Sequence, residues 1–109
     1  MAHFLLQGSY SPEAWKALVS KPENRIEVVR PIIESLGGKV ESGYFCFGEY
    51  DIFLVVELPD NVSAAAFSVA IAAGGAFTTQ KTTILITSEE AIEAMKKGAS
   101  LSGYRAPGK

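Results

Sequence analysis

The side chains able to do chemistry are few in this chain, and they are scattered. There is one histidine, His3, and one cysteine, Cys46. An imidazole can shuttle a proton near neutrality without help from its surroundings, so His3 is a candidate acid or base, with Glu57 able to orient it. Asp51 is a second catalytic candidate: its carboxylate could act as a base or receive a ligand amine. Tyr50 beside it offers a phenol, and Arg25 a planar fork that can anchor a carboxylate. Each also has a plainer role. An aspartate in a hairpin turn caps backbone N–H groups, and we take that as the primary role of Asp51. Tyr50 reads as a packed aromatic whose hydroxyl reaches an edge. His3, close to the first residue, reads as a surface histidine, and Arg25 as half of a helix-surface ion pair. Cys46 reads as a small apolar residue, with no basic neighbour in sequence to activate it.

No GxGxxG, P-loop, HExxH or GxSxG pattern is present. Gly37-Gly38 and Gly74-Gly75 read as helix stops, not phosphate loops. A lone cysteine excludes an intramolecular disulfide and a thiolate metal cluster, and neither a metal nor a cofactor is expected. The 109 residues amount to one domain, 48% hydrophobic and 20% charged, in the ordinary range for a globular chain. Ten basic residues against twelve acidic ones leave a net charge of −2. That balance offers no electrostatic footprint for nucleic acid or for an anionic membrane surface. Neither a signal peptide nor an apolar run of membrane-spanning length is apparent, so the expectation is a cytoplasmic protein.

The elements that must position these residues follow from pattern. Residues Ala2 to Tyr10 read as a strand. Ser11-Pro12-Glu13 is a helix start, with a hydroxyl cap, proline at the first position and an early acid; Trp15, Leu18 and Val19 follow at helical spacing. Lys21-Pro22 breaks this helix. A second helical segment runs from about Glu23 to Leu36 with the stripe Ile26, Val29, Ile33 and Leu36, and stops at Gly37-Gly38; Pro31 is expected to kink it or shift its start. Lys39 to Phe47 and Tyr50 to Leu58 read as a hairpin across Gly48-Glu49. Pro59-Asp60-Asn61 caps a helix from about 62 to 73. Ala76 to Thr87, rich in β-branched residues, is a fourth strand. A short last helix opens at Ser88, the expected cap, and runs to about Lys97. The order β-α-β-β-α-β is the ferredoxin-like arrangement, an α+β fold. Right-handed crossovers give a four-stranded antiparallel sheet, order 4-1-3-2, with the helices on one face and a short C-terminal helix added. Residues 1–98 make up the domain and 99–109 an irregular tail.

Strand parity divides the sheet's two faces. Phe4, Leu6, Tyr10, Ile52, Leu54, Val56 and Leu58 should meet the helices. The other face carries His3, Leu5, Gln7 and Ser9 from one strand and Asp51, Phe53, Val55 and Glu57 from its neighbour. Leu5, Phe53 and Val55 would be an exposed apolar patch on a monomer, and such patches mark interfaces or ligand sites. A second copy packed sheet to sheet would cover them. Any space between the sheets would be lined by Gln7, Ser9, Asp51, Phe53 and Glu57, with His3 at one end.

The string Phe47-Gly48-Glu49-Tyr50-Asp51, followed by an apolar strand and Pro59-Asp60, resembles the GYD domain family, named for its Gly-x-Tyr-Asp motif. Tyr10-Ser11-Pro12-Glu13, Pro22-Glu23-Asn24-Arg25, Leu36-Gly37-Gly38-Lys39 and the threonine-rich fourth strand also fit, so the similarity covers roughly Phe4 to Lys97. The resemblance implies a small bacterial protein of unassigned function in the ferredoxin-like, dimeric α/β-barrel group. That group includes quinol monooxygenases, haem proteins and amino-acid effector domains. The effector domains share the strand start, so the motif is a signature of fold more than of catalysis. His3, at the wrong end of the chain, does not match a haem ligand. Three functions are therefore weighed: first, a homo-oligomeric α/β barrel that binds or senses a small molecule; second, a cofactor-independent monooxygenase or isomerase acting on an aromatic or quinol-like substrate; third, a scaffold with a dry sheet-to-sheet interface. The partner expected is a second copy, with a possible small-molecule ligand and neither nucleic acid nor membrane.

Overall fold

The computed structural model describes residues 1–109. In chain order the elements are β1 (Ala2–Tyr10), α1 (Pro12–Ser20), α2 (Arg25–Ser35), β2 (Lys39–Phe45), β3 (Ile52–Leu58), α3 (Asn61–Gly74), β4 (Phe77–Leu85) and α4 (Ser88–Ala99). The strands form one sheet, β2-β3-β1-β4, with every neighbouring pair antiparallel. This is the expected ferredoxin-like order. The core lies between the sheet and two helices. Phe4, Leu6, Val40, Leu54, Val56 and Leu58 supply the sheet side, Ile33 comes from α2, and Ala64 and Phe67 come from α3. Full burial of a Leu, Ile, Val or Phe side chain contributes about 1.5–3 kcal/mol, so this cluster is what holds the helices to the sheet.

The helix starts follow local chemistry. Ser11 accepts from the Ala14 N–H at 3.1 Å, Asn24 from those of Ile26 and Glu27, and Asp60 from that of Ser63 at 2.8 Å. Each supplies an acceptor for a first-turn donor that the helix leaves unpaired. Gly75 ends α3 at φ 73°, a left-handed conformation that glycine adopts without a Cβ clash.

Three expectations need adjustment. Pro31 does not move the start of α2, which runs unbroken from Arg25 to Ser35 around it; the ring lies on the exposed side. The β2–β3 hairpin has a longer connection, Cys46 to Asp51, and Phe47 at its tip is 99% exposed. The cap of α4 is Thr87, one residue earlier than Ser88, in a reciprocal capping box with Glu90. Separately, α1 buries none of its residues; its Trp15 leans on Tyr10, ring centroids 5.3 Å apart.

Two irregularities shape the sheet. β1 shifts register between Ser9 and Tyr10 against β4. β2 carries a bulge between Val40 and Ser42, where Glu41 is the extra residue.

Candidate functional site

Asp51 stands where β3 begins. Ile52, opposite Gly8, opens the regular β1–β3 ladder. The Asp51 N–H donates to the Gly8 carbonyl at 2.8 Å, and the Asp51 carbonyl accepts from the Cys46 N–H at 2.8 Å. Its carboxylate then accepts from the Tyr10 N–H at 2.9 Å. The side chain thus acts as one further rung, supplying the acceptor that β3 lacks beyond its first residue. The capped donor belongs to β1, not to the hairpin turn itself. Two more bonds fix the Gly-Glu-Tyr-Asp loop: the Ser9 hydroxyl donates to the Glu49 carbonyl, and the half-buried Cys46 thiol donates to the Tyr50 carbonyl at 3.1 Å.

Holding Tyr10 shapes the helix side of the sheet. Its ring stacks on Phe77 of β4 with centroids 4.6 Å apart. Phe77 in turn lies over Gly8, where a Cβ would come within 2.5 Å of the ring. Beneath these rings is a cleft of about 70 Å³ between the sheet, α2 and α3, with Leu6, Leu54, Val29, Phe67 and Ile71 as its apolar walls. Ser68, Gln80 and Thr82 reach it but are engaged with one another: the Gln80 amide donates to the Ser68 carbonyl at 2.9 Å, and the Ser68 and Thr82 hydroxyls are 2.8 Å apart. The Tyr10 hydroxyl and the Arg25 guanidinium complete the wall. Burial pushes the Tyr10 phenol above its usual range, while the neighbouring Arg25 pulls it partly back. Arg25 also holds Glu23 at 2.7 Å. The space is well below the several hundred Å³ of a drug-sized pocket, so only a small group enters without parting α2 from α3.

On the opposite, uncovered face the register sets His3 against Glu57, Leu5 against Val55, and Gln7 against Phe53. All six are half-buried. Tyr44 of β2 packs on Phe53 with centroids 5.6 Å apart. Of the residues that parity assigned to this face, Gln7, Phe53 and Glu57 lie together on it. Ser9 is at the far end, bound to the hairpin loop, and Asp51 is turned along the ladder onto Tyr10. At the His3 end, Lys39 Nζ lies 3.2 Å from Glu57, and this ammonium holds the Glu57 carboxyl below its usual range. His3 Nδ1 lies 3.3 Å from Glu41. Lys39, Glu41, Tyr44, Lys81 and Thr83 were missed as face residues. Period-two reading would have found Lys81 and Thr83 in β4, and Lys39 with Glu41 in β2, but not Tyr44, because the bulge at Glu41 reverses the parity of the residues after it. Arg25 and Tyr10 were named in sequence, but nothing in their spacing joined them.

No curated protein matches the chain. Two solved structures are similar to it in fold. One is described as the crystal structure of FFRP-DM1, 20% identical over 79% of this chain and 100% of that one, with a TM-score of 0.49. The other is a hypothetical protein, PHS023, from Pyrococcus horikoshii, 20% identical over 80% of this chain and 92% of its own, with a TM-score of 0.48. The family model of the GYD domain matches residues 4–95. With the Gly-x-Tyr-Asp loop clamped onto β1 inside that span, the chain belongs to the GYD domain family.

Proposed function

We propose that the protein is a small-molecule binding or sensing module that works as a homo-oligomer paired through its open sheet face. The observation that carries the binding role is the helix-side cleft: apolar walls, an aromatic lid of Tyr10 and Phe77, and the Tyr10 hydroxyl and Arg25 as its polar end. A site with few polar groups orients a ligand by those groups and binds the remainder by burial. The matching ligand has a compact apolar body and one carboxylate, which Arg25 receives after exchanging Glu23 for it. Binding ranks above catalysis because the Asp51 carboxylate, the nearest candidate base, already holds the Tyr10 N–H. Pairing through the open face is supported by Leu5, Phe53 and Val55, which no helix of the same chain covers.

A thermal-shift screen tests the binding role, using small aromatic and aliphatic carboxylates, quinols, amino acids and nucleotides. A ligand at about 100 times its Kd adds ~2.7 kcal/mol of stability. We expect carboxylates with apolar bodies to stabilise the wild type and to lose that effect in Arg25→Gln. Stabilisation by nucleotides alone, or by carboxylates equally in Arg25→Gln, overturns the reading.

A further inference from the structure

We propose that His3, Glu41 and Glu57 form a binding site for a divalent first-row metal cation, of the Zn²⁺ or Mn²⁺ kind, at one end of the open sheet face. The site is separate from the helix-side cleft and does not depend on it. The three side chains come from three adjacent strands, β1, β2 and β3, and one ligand atom from each lies within 4.8 Å of the others. His3 and Glu57 are direct partners across β1 and β3, so their side chains rise side by side. Glu41 joins them from the bulge of β2, where two residues of that strand face one of β3. Bulges re-aim side chains in this way.

The His3–Glu41 spacing suits a shared ion at least as well as a hydrogen bond, and Glu57, within 4.8 Å of both, reaches the same ion by a small side-chain rotation. His3 Nδ1 lies 3.3 Å from one oxygen of Glu41 and 3.4 Å from the other. A directed N–H···O bond would favour one oxygen at about 2.9 Å. Two ligand atoms held about 2.1 Å from a tetrahedral ion stand roughly 3.4 Å apart. The donor set of one imidazole and two carboxylates, with no thiolate, selects borderline to hard cations over soft ones. Three protein ligands leave at least one coordination position for water or for an oxygen of a bound molecule. Lys39 Nζ, 3.2 Å from Glu57, already places a positive charge beside that carboxylate. Its side chain is mostly exposed, so an incoming ion displaces it into solvent at little cost. Lys39 is therefore a competitor of the metal, not a ligand.

The test uses the untagged full chain, freed of metal with a chelator. Zn²⁺ binding is measured by calorimetry, and Mn²⁺ binding by loss of the free-ion electron spin resonance signal. The wild type is expected to take up about one ion per chain. His3→Gln, Glu41→Gln and Glu57→Gln should each weaken binding by at least about tenfold, since even residues that only support metal ligands cost that much when changed. Lys39→Gln should bind more tightly than the wild type, which a merely structural role for Lys39 would not produce. Metal-free urea midpoints show whether each variant folds. Absence of saturable binding by the wild type overturns the proposal, as do folded ligand variants that bind as the wild type does. Weaker binding by Lys39→Gln also counts against it.

Discussion

Asp51 shows how one side chain can stand in for backbone. Its carboxylate takes the Tyr10 N–H that β3 is too short to reach. Asp51→Ala leaves that part-buried donor without its partner and should cost about 1–3 kcal/mol in urea unfolding. Asp51→Asn keeps an acceptor oxygen and should cost distinctly less. Equal and negligible losses would remove the rung from the account. Other acids set the pH range of stability. Backbone N–H donation from Ser63 lowers the pKa of Asp60, and that from Thr87 lowers the pKa of Glu90. A group whose folded pKa lies below its unfolded value stabilises above the unfolded value and loses that contribution as pH falls through the folded one. For Tyr10 the sign is reversed at the other end: burial raises the phenol above 10.0, so the folded state holds its proton longer and stability falls as pH rises past about 10. Urea midpoints should therefore drop below about pH 4 and above about pH 10, and Tyr10→Phe should flatten the alkaline fall. A fall of equal size in Tyr10→Phe would assign it to other groups. In the sequence, the capping role of Asp51 was legible from residue type and turn context. Its partner was not, because Tyr10 lies 41 residues away and only the register of β1 on β3 brings them together.

At the scale of elements, local chemistry made the starts of α1 and α3 readable: a hydroxyl or a carboxylate cap stands ahead of each. The faces of β1 and β3 were readable because one side of each is buried along almost its whole length, which fixes parity. Strand ends were harder. β2 and β3 stop short of the hairpin tip, where the Cys46 and Asp51 backbone and the Cys46 thiol close the loop instead. Periodicity does not report a bulge, so Tyr44 and the other β2 residues after Glu41 could not be given their faces. Pro31 was over-read: on the solvent side of α2 its ring has room, and its cost falls on one missing helix bond. Pro31→Ala should raise stability, by at most ~3 kcal/mol; a lower urea midpoint would mean the proline is packed. Gly38 is the opposite case. A Cβ there would stand 2.1 Å from the Glu57 carbonyl oxygen, and backbone cannot yield as a ring can. Gly38→Ala should cost more than Gly8→Ala, whose obstacle is the movable ring of Phe77. The reverse order would show that β3 has slack at Glu57.

The whole molecule is drawn out. Its extents are 58 × 35 × 22 Å and its radius of gyration is 17.5 Å, against about 13 Å for a compact chain of this length. α4 buries no residue, and its Ile92 and Met95 remain exposed; no helix is long and apolar enough to cross a membrane. Together with the uncovered face of the sheet, this predicts self-association. Light scattering at micromolar concentration should give a dimer or larger assembly, and Phe53→Glu, which would place a charge in the contact, should return it to monomer. A monodisperse wild-type monomer would refute the pairing. Strand order and the division of the faces could be read in sequence because they follow from connection handedness and alternation. The helix-side cleft could not, since it depends on how far α2 and α3 stand apart.

The bulge in β2 makes the strand unusually open to editing. On either side of Glu41 the alternation is intact: Val40 faces Val56 toward the helices, and Ser42 faces Val55 toward the open side. Removing Glu41 altogether leaves a regular strand in which every other side chain keeps its face. Removing Val55 from the central strand β3 would turn half of a buried row outward. The chain lacking Glu41 should therefore fold with a cooperative urea transition, whereas the chain lacking Val55 should not fold. Glu41 is thus a position that a lineage could gain or lose as one codon, taking a carboxylate on or off the sheet without redesigning the fold around it.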